Sequence, residues 1–314
     1  MDTRTARAWP VLIGLAGTWG GSFLFIKYIL EGTDPVEVAL GRTALGAAAV
    51  AAYVVVTRRR LQLTPRLLAR VSVMAVMNNV IPFMLIPLGE EHISSGTASI
   101  LNATVPIFTA LFAAIALDEE HFTRARLAGL LLAFAGVGVL TGRGVTDVTS
   151  SNVLGELAVV GAAASYGVGV VFTRQTLHGQ DQVSVTLAQL SLATLFLAPI
   201  AVVAAGGLPD YSLDTRGYAS LAALGLAGTG FAYIAFFWLI ENLGSVRATL
   251  VTYIVPIIAV VLGWLALDES IGLNTVAGGL LIVAGVTAVM RGQAPVRQPR
   301  VQRAGAALAG ETVN

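Results

Sequence analysis

The chain reads VPIFTALFAAIALDEE at residues 105–120 and VPIIAVVLGWLALDES at residues 255–270. In both stretches a proline, Pro106 or Pro256, is followed ten residues on by Ala-Leu-Asp-Glu: Ala116-Leu117-Asp118-Glu119 and Ala266-Leu267-Asp268-Glu269. The offset is 150 residues in a chain of 314, which marks two copies of one unit. At the same offset Glu91 matches Glu241, Ser95 matches Ser245 and Ala98 matches Ala248. A one-residue slip then aligns Ala135-Gly136-Val137 with Ala284-Gly285-Val286. Toward the N-terminus the offset is 147, where Asp34, Val36, Val38 and Leu40 match Asp181, Val183, Val185 and Leu187. Arg42 then falls opposite Gln189, Trp19-Gly20 opposite Tyr166-Gly167, and Lys27 opposite Arg174.

Composition says where such copies live. Hydrophobic residues make up 56% of the chain and charged ones 12%, against about 25% charged in soluble domains. Too little polar surface remains to cover a water-soluble globule, so the partner of the chain is the lipid bilayer. The absence of cysteine excludes disulfides and thiolate chemistry. A net charge of +1 gives no support for nucleic-acid binding. Ten apolar stretches long enough to span a bilayer are expected at 9–30, 35–57, 68–88, 95–116, 124–142, 153–173, 183–205, 218–240, 247–266 and 271–290. The first is too long for a signal-peptide core and has a counterpart later in the chain, so it is kept as a helix of the mature protein.

The expected organisation is an all-α polytopic membrane protein of ten transmembrane helices in two inverted five-helix repeats. The N-terminal segment is 1–8, the first repeat 9–143, a linker 144–152, the second repeat 153–291, and a disordered tail 292–314. Because five is odd, the second unit enters from the opposite face. Two such units have two near-equivalent arrangements, one opening inward and one outward. Fifteen of the nineteen Lys and Arg residues fall on one side, three on the other, and Arg42 within a span. The positive-inside rule then places both termini in the cytoplasm and the chain in the cytoplasmic membrane.

Trp19-Gly20-Gly21-Ser22-Phe23, Arg42, Pro106 with Leu117-Asp118-Glu119, Gly155-Glu156, and Pro256 with Leu267-Asp268-Glu269 together resemble the EamA-type branch of the drug/metabolite transporter superfamily. The resemblance runs over about residues 9–291 and rests on the order and duplication of short motifs. It implies ten helices, inverted repeats, a central cavity and movement of small metabolites, often outward.

The polar residues within the spans are the candidates for that cavity. Arg42 lies seven residues inside span 2, roughly 10 Å deep at 1.5 Å per residue. A charge at that depth faces protein or water and suits a substrate carboxylate or phosphate. Its alternatives are outward snorkelling, or pairing with Glu37 or a helix C-terminus. Asn78, Asn79 and Asn102 serve either as substrate ligands or as interhelical glue. Trp19, Ser22, Tyr166, Gln189, Tyr233 and Tyr253 would complete the wall, against the alternative of plain helix packing. Pro82, Pro106 and Pro256 are expected kink sites. Glu156 and the two Asp-Glu pairs are read as helix caps. His92, His121 and His178 are dispersed among loops, so no metal site and no catalytic histidine is expected, and no cofactor is called for. No carboxylate is expected in mid-span, which favours neutral, zwitterionic or anionic substrates over cations. Protons are a candidate coupling ion, and the state is either monomer or homodimer. The expectation is a secondary transporter of a small metabolite, amino acids or related zwitterions and anions first, working by alternating access and outward. The alternatives are a passive facilitator of the same fold and an integral membrane enzyme.

Overall fold

The structure, a computed structural model, describes residues 3–116, 123–141, 151–177, 179–243, 248 and 251–291. Asp118-Glu119, His121, His178, Ser245, the tail and most of the linker lie outside the described residues. The rest is helical and follows the ten expected spans. They are α1 (Thr3–Leu30), α2 (Pro35–Val56), α3 (Pro65–Glu90), α4 (Ser95–Ala116), α5 (Arg124–Thr141), α6 (Ser151–Thr176), α7 (Gln182–Ala204), α8 (residues 215–243), α9 (Val251–Leu267) and α10 (Leu273–Arg291). Eight of them contain a stretch long and apolar enough to cross a membrane, while α5 and α9 hold shorter apolar stretches. Two helices begin inside segments expected to lie outside the repeats. Helix α1 already begins at Thr3, inside the segment set apart as 1–8, and α6 begins at Ser151, inside the linker.

Local chemistry explains the helix starts. Thr64, Ser94, Asp181 and Asp214 each sit in extended backbone and accept a hydrogen bond from the amide three residues on. Pro35 and Pro65 occupy first-turn positions, where a missing N–H costs nothing. Exposed Ile115, Leu195, Val203 and Leu280 form an apolar outer surface that water would not tolerate and lipid does.

The two units interlock rather than sit side by side. Helix α1 packs on α8 and α9, and its counterpart α6 packs on α3 and α4. Helix α2 lies against α7 and α8, α3 against α7, and α5 against α10. Every one of these contacts has a partner generated by exchanging the units, as a two-fold axis between them requires. The α5–α10 crossing shows it at atomic scale. A methyl added at Gly129 would lie 2.7 Å from the Gly285 carbonyl oxygen, and one added at Gly136 would lie 2.8 Å from that of Gly278. Only glycine allows the backbones that close.

Two helices are locally underwound to a π-helical register, α3 at Val76–Val80 and α8 at Ala223–Phe231. Their first residues are 147 apart, the offset that aligns Arg42 with Gln189. The sequence inside them differs, Val-Met-Asn-Asn-Val against Ala-Leu-Gly-Leu-Ala, so the distortion is repeated although its residues are not. The prolines divide. The π segment of α3 ends just before Ile81-Pro82. Helix α4 breaks at Ala103-Thr104, ahead of Val105-Pro106. Around Pro256, α9 runs without interruption, so the break at Pro106 has no image there.

Candidate functional site

Arg42 is set by the start of α2, where Asp34 and Glu37 form a reciprocal capping box. Two turns on, its side chain is 9% exposed and turns into the bundle rather than out to the membrane surface. Its Nε donates to Thr229 Oγ1 at 2.8 Å, and its guanidinium carbon lies 3.8 Å above the Phe83 ring centre. Thr229 belongs to the π segment of α8, and its hydroxyl also donates to the Leu224 carbonyl five residues back at 2.9 Å. Two of these alternatives do not hold. It does not snorkel, and Glu37 instead accepts from Thr33 Oγ1 and from the Asp34 and Asp210 amides. Among the described residues Arg42 makes no ion pair.

Gln189, 2% exposed, mirrors this arrangement. Its Nε2 donates to Asn79 Oδ1 in the π segment of α3. Asn79 Nδ2 in turn faces the Tyr233 hydroxyl at 3.5 Å. Each repeat therefore sends one long polar side chain, from aligned positions of α2 and α7, to the π segment of the other. Tyr166 and Tyr233 lie near enough to Arg42 to feel its charge. The cluster holds one cation, two amides, two phenols and a hydroxyl between the units. It can offer charged and neutral donors to an anionic or zwitterionic group and an aromatic face beside them.

The other expected cavity residues are placed less centrally. Asn78 is buried and turned toward Gly169 of α6, its Oδ1 without a hydrogen-bond partner. Asn102 ends the first half of α4, and its Oδ1 is likewise unpartnered. Ser22 donates to the Thr18 carbonyl at 2.9 Å and lies against Gly228, a packing contact between α1 and α8. Trp19 lies against Phe236 with ring centres 5.3 Å apart. The Tyr253 hydroxyl points to Met290 Sδ of α10, away from Asn79 and Gln189.

Two of the acids read as caps, Glu156 and Glu269, bond to helices other than their own. Glu156 accepts from Thr141 Oγ1, tying α6 to α5. Glu269 does cap a helix, but one of the other repeat. Its carboxylate accepts from Ser95 N at 2.7 Å, Ser95 Oγ at 2.9 Å and Gly96 N at 3.2 Å, at the start of α4. Beside it a surface recess of about 420 Å³ is lined by Lys27, Glu91, His92, Ser94, Leu267 and Glu269 among others. The sequence reading passed over Glu90. Helix α3 extends to Glu90, beyond the expected end at 88, and the side chain is 0% exposed with neither carboxylate oxygen hydrogen-bonded. Lys27 Nζ donates to the Glu90 main-chain carbonyl. The available signal was spacing: Glu90 is two turns beyond Phe83, on the same stripe of α3. Among the described residues no group of three His, Asp or Glu could hold a metal ion.

Comparison with known proteins agrees with this architecture. The model of the EamA-like transporter family matches twice, over residues 8–142 and 153–291. An uncharacterized transporter of Archaeoglobus fulgidus is 26% identical over 91% of this chain and 99% of its own length. The uncharacterized transporter YoaV of Bacillus subtilis is 24% identical over 88% of this chain and 94% of its own. A protein of Streptantibioticus cattleyicolor described as a probable terminal-alkyne amino-acid exporter is 28% identical, covering 90% and 93%. A crystal structure 21% identical superposes with a TM-score of 0.62 over 91% of this chain and 98% of the other.

Proposed function

This chain belongs to the EamA-like transporter family and is a multi-pass membrane transporter, not an enzyme, and from that premise we infer that it is a secondary carrier exporting small amino-acid-like zwitterions or anions. Arg42 carries the reading. It is a buried cation between the repeats that makes no ion pair among the described residues; a hydroxyl and an aromatic face hold it, and Glu90 lies close enough to feel its charge. A substrate carboxylate supplies the missing ion-pair partner, and Asn79, Gln189, Tyr166 and Tyr233 are the neutral groups around it. Repeats that interlock across a two-fold axis support alternating access at this depth. The outward direction draws on the family resemblance and on the named amino-acid exporter among the relatives.

The test is counterflow in proteoliposomes holding the purified full chain, with labelled standard amino acids as probes. Trans-stimulation by the same amino acid supports a carrier. Uptake that is indifferent to the trans side is the behaviour of a facilitator with this fold, and absence of transport for every amino acid removes the substrate class.

A further inference from the structure

We propose that Glu90 is the proton-binding site that couples this transporter to the proton gradient; the proposal rests on the carrier reading above. Glu90 is the one acid among the described residues whose two carboxylate oxygens are both buried and unpartnered. Carboxylates elsewhere in the bundle are used up by structure: Glu37 in the capping box, Glu156 on Thr141, Glu269 on the start of α4. An ionised carboxylate without hydrogen bonds is among the costliest groups to bury, while the neutral acid is far cheaper. Such a group is tolerated in a membrane interior where it takes up and gives up a proton.

The surroundings fit that task. The charges that reach Glu90 are Lys27 of α1, Glu269 of the α9–α10 connection and Arg42 of α2. Glu156 is the titratable group on the start of α6, which packs along the end of α3, and Glu91 and His92 follow Glu90 in the chain. Lys27 holds the Glu90 main chain rather than its carboxyl, so the nearest cation fixes the residue without taking its acid as a hydrogen-bond partner. The recess lined by Lys27 and Glu269 opens to the surface at this end of the bundle. Two turns along α3 lies Phe83, against which Arg42 is stacked. Motion of α3 that uncovers Glu90 therefore also moves one wall of the Arg42 site. In one direction Glu90 binds a proton from the face opposite the arginine-rich one, and in the other it releases that proton to water on the arginine-rich face.

Two measurements on the full chain test this, one without substrate. In detergent, wild-type protein should show an infrared carbonyl band of a buried protonated carboxyl that responds to pH, and Glu90→Gln should lack it while Glu269→Gln keeps it. In proteoliposomes, amino-acid transport by wild type should accelerate under an imposed pH gradient. Transport by Glu90→Gln, each rate normalised to the same variant without a gradient, should lose that response entirely, and Glu90→Asp should retain part of it. A band that persists in Glu90→Gln, or an undiminished gradient response, overturns the proposal. Should no amino acid be carried, the infrared result still decides on Glu90, so the two readings fail separately.

Discussion

Replacing Arg42 by alanine removes the only charged donor in the central cluster. A hydrogen bond to a charged group contributes about 1.5–3 kcal/mol, so the half-saturation concentration for an anionic or zwitterionic substrate should rise roughly 10- to 100-fold. Arg42→Lys keeps the charge but loses the planar fork and its fit on Phe83, and should fall between. Thr229→Val tests the support rather than the charge. It orphans Nε, and a buried unsatisfied group costs about 1–3 kcal/mol, readable as a lower melting temperature in detergent. On the arginine-rich face, Asp181 accepts from Ser184 N and Oγ and from Arg59, all at 2.8 Å. Its burial pulls its carboxyl pKa up, but these hydrogen bonds and the Arg59 charge outweigh that and hold it below the usual carboxylate value. A depressed acid stabilises the fold above its unfolded value, about 3.9, and loses that contribution as pH falls through the lower folded value. Asp181→Asn keeps a capping oxygen but loses the charge that faces Arg59, so it should cost at most about 1 kcal/mol near neutral pH and match wild type in strong acid. Melting temperature followed against pH checks the sign.

Among the elements, the α5–α10 crossing allows a sharp prediction. Gly136→Leu or Gly278→Leu drives a side chain into backbone with no flexible neighbour to yield, and overpacking costs about 1–3 kcal/mol or more. A substitution at Gly138, which faces open space, should leave thermal stability unchanged. The helices themselves were readable in the sequence because hydrophobic length is a one-dimensional property. Arg42 and Gln189 were readable as a pair because the repeat aligns them. The π segments were not, since their inner residues share no pattern, and register distortions come from what packs alongside. Glu90 escaped because Glu91 carries the repeat match, and the end of a hydrophobic run hides which of two adjacent acids turns inward. Glu269 was legible as a cap but not as the cap of α4, a contact between residues 174 apart that only the folded chain creates.

For the whole molecule, orientation is open to direct test because the chain contains no cysteine. A single cysteine at Gly207, in the exposed α7–α8 connection, should react in intact cells with an impermeant thiol reagent. One at Arg59, on the opposite face, should react only after the membrane is opened; the reverse pattern would invert the topology. The α5–α10 contact also has a bearing on how the protein is made. Helix α10 leaves the ribosome after α1–α9, and until it inserts, the faces of α5 around Gly129 and Gly136 meet lipid tails instead of Gly285 and Gly278. A message cut short before residue 273 would thus yield nine inserted helices with a cleft that no other described helix fills. Such a product is expected to be material for quality-control proteases rather than a shortened carrier.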